Sequence, residues 1–283
     1  MTNKNFSFLL GLITIICWSS IATFGSLLIH LPPFYVLGMS FLFGSLPGLL
    51  RPKEMFPSIK VSLWGIFGYF AYHFFLFYSF RFAPALESNL INYLWPVIMV
   101  FLTPVFFKQE KLKWFNWLGA FLSIMGSLFL VFGLDGAFHL SSLKGHLLAL
   151  AAAFIWPIYS LGKKKMSPTS VWAVSGFCFG SALLCFLMHS WLEPRVVLQF
   201  SDALKLMIMG LGPFGLAFYF WDIAMRRGDP RILAGLAYLT PVLSTTNLVV
   251  FGHEQISNST ALAMLLIIGG ACSGLLDFLT PKR

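Results

Sequence analysis

The chain has 283 residues, of which 58% are hydrophobic and only 10% are charged. A soluble domain is typically about 45–50% apolar and about 25% charged, so this composition excludes a soluble globular protein. It predicts an all-α integral membrane protein instead, because a helix satisfies its own backbone hydrogen bonds in lipid.

Ten apolar segments are long enough to cross a bilayer, since a spanning helix needs about 20 mostly apolar residues. The first segment is longer than the apolar core of a signal peptide, which has about 7–15 residues, so we interpret it as a permanent span. Together the ten segments take up nearly the whole chain. In chain order, the predicted spans are residues 7–28, 33–50, 61–82, 84–107, 114–134, 142–162, 170–191, 203–225, 229–250 and 260–279.

The basic residues collect in alternate loops. If the N-terminus is inside, 15 of the 19 Lys and Arg residues lie on the inner side, and the outer side keeps Arg81, Lys144, Arg195 and Lys205. Positive loops face the cytoplasm, so both termini are predicted to be cytoplasmic. The basic residues that give the net charge of +9 then orient the protein in the membrane, and we expect no nucleic-acid partner.

Two stretches of the first half recur in the second half. The aligned pairs are "LLGLITIICW" (9–18) with "LLALAAAFIW" (147–156), and "YLWPV" (93–97) with "YLTPV" (238–242). Their nearly constant offset predicts two five-helix repeats, over residues 1–138 and 139–283. Because each repeat has an odd number of spans, the second enters the membrane from the opposite face. Such inverted-topology repeats are found in many secondary transporters, although some channels have them too.

Two prolines occupy the same position in the two repeats. Pro96 and Pro241 lie near the middle of spans four and nine, and each should free the backbone carbonyl four residues earlier. A single proline in a membrane helix is often only a packing kink. A matched pair near the midplane indicates a transporter's binding site. We expect a further hinge at Pro157 in span six.

The two repeats differ where a binding site would be asymmetric. The first has Glu87, Asn92 and Trp95 where the second has Ile232, Ala237 and Thr240. An aromatic substrate would stack on large rings, so Trp95 is the best lining candidate, followed by Trp156. The alternative for each is an interfacial aromatic belt. Trp95 lies too deep for that alternative, whereas both interpretations stay open for Trp156. Further candidates for lining the site are Trp18, Tyr72, Tyr93, Tyr159, Tyr219 and Tyr238.

The polar residues within the spans have more than one interpretation. Asn92 could hold the carboxylate or ammonium group of a substrate, or could form an interhelical hydrogen bond. Glu87 could bind an ammonium group, carry a proton, or pair with Arg81. Asp222 lies beside Arg226 and is predicted to form a salt bridge with it.

Sequence motifs for cofactors and catalysis are absent. The four cysteines lie in apolar spans without metal-binding spacing, and neither a phosphate-binding loop nor a zinc helix occurs. We therefore expect no cofactor, no metal and no enzymatic activity. The Gly-x-x-x-Gly pairs predict close-packed helix faces, within one chain or in a homodimer. These pairs are Gly44/Gly48, Gly176/Gly180 and Gly270/Gly274.

Several motifs carry a resemblance over essentially the whole chain. The motifs are "LINYLWP" (90–96), "AFIW" (153–156), "YLTPVLS" (238–244) and the matched Glu110 and Glu254. They resemble the drug/metabolite transporter superfamily of the EamA type, and more narrowly its bacterial aromatic amino acid exporter branch. Tyr72 and Glu87 fit that branch, whereas His73 lies where a different polar residue is expected and is a further candidate for lining the site.

The resemblance implies ten helices around a central cavity, open alternately to each side. It also implies export of Phe, Tyr or Trp across a bacterial inner membrane. One alternative is a proton-coupled exporter of drugs or cations, which would place a glutamate in the middle of the first span. That span has no acid here, so only Glu87 keeps this alternative open. An integral-membrane enzyme is a more remote alternative.

Overall fold

The computed structural model describes residues 3–108, 112–132, 140–166, 169–228, 230–237, 239–251 and 256–279. Within these ranges the chain is helical and contains no strand, which confirms the all-α class. The helices are α1 (Asn3–Trp18), α2 (Ile21–Leu27), α3 (Pro33–Ser45), α4 (Ile59–Ser79), α5 (Ala85–Asn92), α6 (Trp95–Phe106), α7 (Trp114–Phe132), α8 (Leu140–Lys165), α9 (Ala173–Leu192), α10 (Phe200–Leu211), α11 (Ala217–Arg227), α12 (Pro230–Ala237), α13 (Leu239–Phe251) and α14 (Asn258–Leu279).

Within the described residues, seven helical stretches are long and apolar enough to cross a membrane. Each coincides with one of the predicted spans. The three remaining predicted spans correspond to α7, to α12 together with α13, and to α14. Large apolar side chains such as Trp114, Phe121 and Leu265 lie on the outside of the protein, where they are 60–70% exposed. A surface of this kind suits lipid rather than water.

Helices of the first half pack against helices of the second half. The main pairs are α1 with α11, α4 with α8, α3 with α9, and α7 with α14. In addition, α6 contacts α12, and α5 contacts α13. Buried side chains of both halves consequently form one large apolar core, and a small separate cluster surrounds Val97.

The fourth span is interrupted before its proline. Helix α5 ends at Asn92 and α6 begins at Trp95, so that Pro96 is the second residue of α6. Proline is well tolerated there, because the first residues of a helix have no intrahelical partner for their N–H groups. In the second half, α13 begins two residues before Pro241. The Ala237 carbonyl accepts a hydrogen bond of 2.6 Å from the Thr240 hydroxyl. By contrast, α8 continues through Pro157.

Five of the six glycines in these pairs can be placed, and they lie at close contacts within the same chain; the surroundings of Gly274 lie outside what the structure describes. A Cβ atom at Gly44 would lie 2.6 Å from the carbonyl oxygen of Phe214, and one at Gly270 would lie 2.5 Å from that of Gly119. Gly48, Gly176 and Gly180 are similarly crowded. These faces therefore bring helices together within one protomer.

The neighbouring glycines Gly269 and Gly270 give a matched test of this packing. We expect Gly270→Ala to lower the free energy of unfolding by about 1–3 kcal/mol, because the added methyl group would collide with the α7 backbone. Nothing in the described part of the chain lies within 4 Å of a Cβ at Gly269, so Gly269→Ala should raise stability by up to about 1 kcal/mol. Thermal unfolding of the purified protein in detergent measures both. Equal effects of the two variants would contradict the close α7–α14 contact.

Candidate substrate site

A small cavity lies where the broken fourth span meets the helices of both halves. Its volume is about 20 Å³, which is room for about one water molecule. An amino acid does not fit into it, so the site is closed in this conformation. The cavity is lined by Trp18, Ile21, Tyr72, His73, Leu76, Asn89, Asn92, Tyr93, Trp95, Trp156, Phe218 and Thr240.

Four indole rings meet beside this cavity. The Trp18 ring centroid lies 6.5 Å from that of Trp95, 5.2 Å from that of Trp156 and 5.0 Å from that of Trp221. We call these four residues the tryptophan cluster. The first two pairs meet edge to face and the third is tilted; edge-to-face contacts at such distances stabilise aromatic pairs. Trp95 and Trp156 are 3% and 2% exposed, so neither lies in an interfacial belt.

The orientation of Trp18 is held by the second half of the chain. Its Nε1–H donates a hydrogen bond of 3.2 Å to the Pro213 carbonyl. Pro213 lies in a short π-helical segment, Gly212–Leu216, between α10 and α11. Insertions of this type often occur at functional sites. The segment thus links the tryptophan cluster to α11.

Two polar atoms at the cavity have no hydrogen-bond partner among the residues that the structure describes. Asn92 donates from Nδ2 to the Tyr72 hydroxyl at 3.1 Å, while its Oδ1 atom has no partner. The Nδ1 atom of His73 contacts the Tyr69 carbonyl at 2.8 Å, while its Nε2 atom has no partner. A carbonyl only accepts, so Nδ1 carries the hydrogen, and Nε2 of the neutral ring is an acceptor. Buried polar atoms normally have partners. Two acceptors at one cavity therefore suit a donor such as an ammonium group.

The sequence interpretation missed Asn89. Its Nδ2 atom donates to the Ser244 hydroxyl at 2.7 Å and lies 3.3 Å from the Tyr93 hydroxyl. The bond to Ser244 joins α5 to α13, and so connects the two halves at the cavity. The spacing between Asn89 and Asn92 could have indicated it. Residues three apart on a helix share a face, and Asn92 was already a candidate.

The remaining sequence candidates lie elsewhere. The Tyr219 hydroxyl is hydrogen-bonded to Ser175, and its ring packs on Trp172, so Tyr219 does not reach the cavity lining. Tyr159 lines a neighbouring cavity, with its ring centroid 5.3 Å from that of Trp156. Tyr238 lies outside the described residues, as do Glu110 and Glu254.

Glu87 also lies away from the cavity lining. Its Oε2 atom is 3.0 Å from Nε2 of His146, which connects α5 to α8. Arg81, the other candidate partner of Glu87, donates to the Leu31 carbonyl instead.

A second, larger cavity lies at the ends of α8 and α11, and we call it the vestibule. Its volume is about 300 Å³. As predicted, Asp222 forms a salt bridge with Arg226, and Lys163 Nζ lies 3.5 Å from Asp222 Oδ1. The vestibule is lined by Tyr69, Phe107, Tyr159, Ser160, Lys163, Lys164, Met166, Thr169, Trp221, Asp222, Met225 and Arg226.

Comparison with known proteins identifies relatives over nearly the whole chain. The model of the EamA-like transporter family matches twice, at residues 5–132 and 143–273. An aromatic amino acid exporter, YddG, of Ancylobacter novellus is 37% identical over 272 residues, which cover 93% of this chain and 94% of the relative. YddG of Escherichia coli is 26% identical, with 83% and 78% covered.

Two further matches extend this comparison. A probable amino-acid metabolite efflux pump of Salmonella typhimurium is 27% identical, with 85% of each chain covered. One crystal structure, 34% identical in sequence, superposes with a TM-score of 0.80 over 98% of this chain and 100% of the other.

The hydrogen bond between Tyr72 and Asn92 can be tested by a single substitution. We expect Tyr72→Phe to lower the free energy of unfolding by about 1 kcal/mol, because Asn92 Nδ2 would lose its partner in a buried site. Tyr78, on the same helix, makes no hydrogen bond through its hydroxyl within the described chain, so Tyr78→Phe is the matched control. Thermal unfolding in detergent compares them. Equal stability of the two variants would contradict the bond.

Proposed function

This chain belongs to the EamA-like transporter family, and we propose that it is a secondary exporter of aromatic amino acids. Membership in a transporter family argues for a small-molecule substrate and a position in the membrane, rather than for an enzyme. The finer proposal is that Phe, Tyr or Trp binds at the central cavity and crosses by alternating access. Two of the relatives named above are themselves called aromatic amino acid exporters.

The observation that carries this proposal is the combination of rings and acceptors at one place. The tryptophan cluster offers aromatic faces and edges on which a substrate ring can stack. Asn92 Oδ1 and His73 Nε2 are buried acceptors without partners in the described part of the chain, which suits the ammonium group of an amino acid. Because the cavity holds only about one water molecule in this conformation, the rings must separate when a substrate enters.

The helix pairing supports alternating access by two inverted repeats. If α8 corresponds to α1, and α11 to α4, a two-fold axis in the membrane plane exchanges the pair α1–α11 with the pair α4–α8. The same axis maps α3 onto α9 and α7 onto α14, and these also pack against each other. We therefore propose ten spans in two repeats, 1–138 and 139–283, rocking around the central site.

We place both termini in the cytoplasm and the protein in a bacterial inner membrane. The support is the uneven distribution of basic residues along the sequence, together with the bacterial sources of the named relatives. In this orientation the vestibule opens to the cytoplasm, and the pair Glu87–His146 lies toward the outside.

The structure favours this function over export of cations. A cation exporter coupled to protons needs an exchangeable acid in its transport pathway. The described lining of the central cavity includes no acid, and Glu87 is held by His146. Asp222 in the vestibule is paired with Arg226 and Lys163.

Transport by reconstituted protein tests the proposal. We would load proteoliposomes with unlabelled phenylalanine and follow counterflow of labelled tryptophan. We expect saturable uptake that Phe and Tyr compete with, but that Lys and a quaternary ammonium ion do not. Flux of cations without flux of any aromatic amino acid would overturn the proposal in favour of a cation exporter.

The role of Trp95 is tested in the same assay. We expect Trp95→Ala to reduce counterflow at low substrate by at least about tenfold, because the substrate would lose a stacking surface. Trp191 is 71% exposed on the outside of α9, so Trp191→Ala is the matched control and should retain flux. Thermal unfolding of both variants checks that they remain folded. Full flux in a folded Trp95→Ala protein would exclude this ring from the pathway.

A further inference from the structure

We propose that the vestibule is an entry site that binds the substrate's carboxylate between Lys163 and Arg226. This inference rests on the proposed function, because it names the part of the transported amino acid that the vestibule recognises. The central cavity offers two uncharged acceptors. No lysine or arginine is among the described residues that line it. The carboxylate of a zwitterion therefore has no cationic partner there, whereas the vestibule supplies two.

The charges of the vestibule favour an anion. Two cations, Lys163 and Arg226, face Asp222, which is the one acid among the described residues that line the vestibule. The side chains of Lys163 and Asp222 are only 9% and 7% exposed, and that of Arg226 is 31% exposed. Charges interact more strongly away from water, and a buried charge without compensation is costly. A substrate carboxylate entering the adjoining cavity would offset the excess positive charge.

Lys163 is the better placed of the two neighbouring lysines. Its Nζ atom donates to the Thr169 hydroxyl at 2.8 Å, and Asp222 Oδ1 lies 3.5 Å away. A neutral hydroxyl is a weaker partner for an ammonium group than a carboxylate is, so a ligand carboxylate can replace it. Lys164 instead donates to the carbonyls of Met225 and Gly228, at 2.6 and 3.0 Å. Those contacts stabilise the C-terminal end of α11.

The inner wall of the vestibule suits an aromatic ring. Tyr69, Tyr159 and Trp221 line it. Trp221 also packs against Trp18 and Trp95, which line the central cavity. The volume of about 300 Å³ is at the lower end of small-molecule pockets, which span about 300–1,000 Å³. An amino acid with its carboxylate at Lys163 could thus place its ring against the wall that separates it from the central cavity.

Binding measurements with two ligands test the assignment. The probes are phenylalanine and phenylalaninamide, which keeps the ring and the ammonium group but has no carboxylate. Equilibrium binding of labelled phenylalanine to the purified protein, with the amide as competitor, gives both affinities. We expect Lys163→Gln to weaken phenylalanine binding by about tenfold, because a charge-assisted hydrogen bond is lost. The affinity for the amide should stay the same.

Two further variants separate binding from structural support. Lys165→Gln makes the same change of charge two residues further along α8, and Lys165 is not among the vestibule residues, so both affinities should stay unchanged. Thr169→Ala removes the hydroxyl that Lys163 and, at 3.4 Å, Arg226 contact, without a change of charge. We expect it to strengthen phenylalanine binding severalfold and to leave amide binding unchanged. If Lys163→Gln does not fold, Thr169→Ala decides the question.

The possible failures are distinguishable. If the wild type binds phenylalanine but Lys163→Gln and Thr169→Ala leave its affinity unchanged, or change both affinities equally, the vestibule assignment is wrong and the proposed function stands. If the wild type neither binds nor transports an aromatic amino acid, the proposed function itself fails. Weaker phenylalanine binding in Lys163→Gln with unchanged amide binding supports the assignment.

Discussion

The contacts of Trp18 join the two halves of the protein at its centre. This one indole ring touches Trp95 of the first half and Trp156, Phe218 and Trp221 of the second half. Its N–H group is satisfied by the Pro213 carbonyl, so the ring is fixed by both packing and a hydrogen bond. The closed central cavity depends on this arrangement, because Trp18 and three of the rings that it touches line the cavity.

The two cavities differ in chemistry. The central cavity combines rings with neutral acceptors, and the vestibule combines rings with an excess of positive charge. Trp221 lies between them. A zwitterionic aromatic molecule thus finds partners for its ring in both places, but partners for its two charged groups in different places. This division would favour movement from one cavity to the other, since neither cavity alone offers partners for the ring and for both charged groups.

The sequence predicted the class of the fold and much of the central lining. Long apolar segments determine membrane helices almost by themselves, and Trp18, Tyr72, His73, Asn92, Tyr93, Trp95 and Trp156 do line the cavity. The position of Tyr219 could not be predicted. On a helix of mixed polarity, the sequence does not show whether a tyrosine faces a cavity or a neighbouring residue such as Ser175. The partner of Glu87 was missed for a related reason. His146 is distant in the sequence, and only the packing of α5 against α8 brings it near.

The packing of early helices on late ones has a consequence for biogenesis. Each of α1, α3, α4 and α7 finds its main partner among α8, α9, α11 and α14, which the ribosome makes later. While the second half is still being synthesised, the helices of the first half lie in the bilayer without these partners. Their small-residue faces, such as that of Gly44, are then exposed to lipid. The last of the described helices, α14, must therefore be inserted before α7 can reach its final place, so the packing of the first half is completed only late in synthesis.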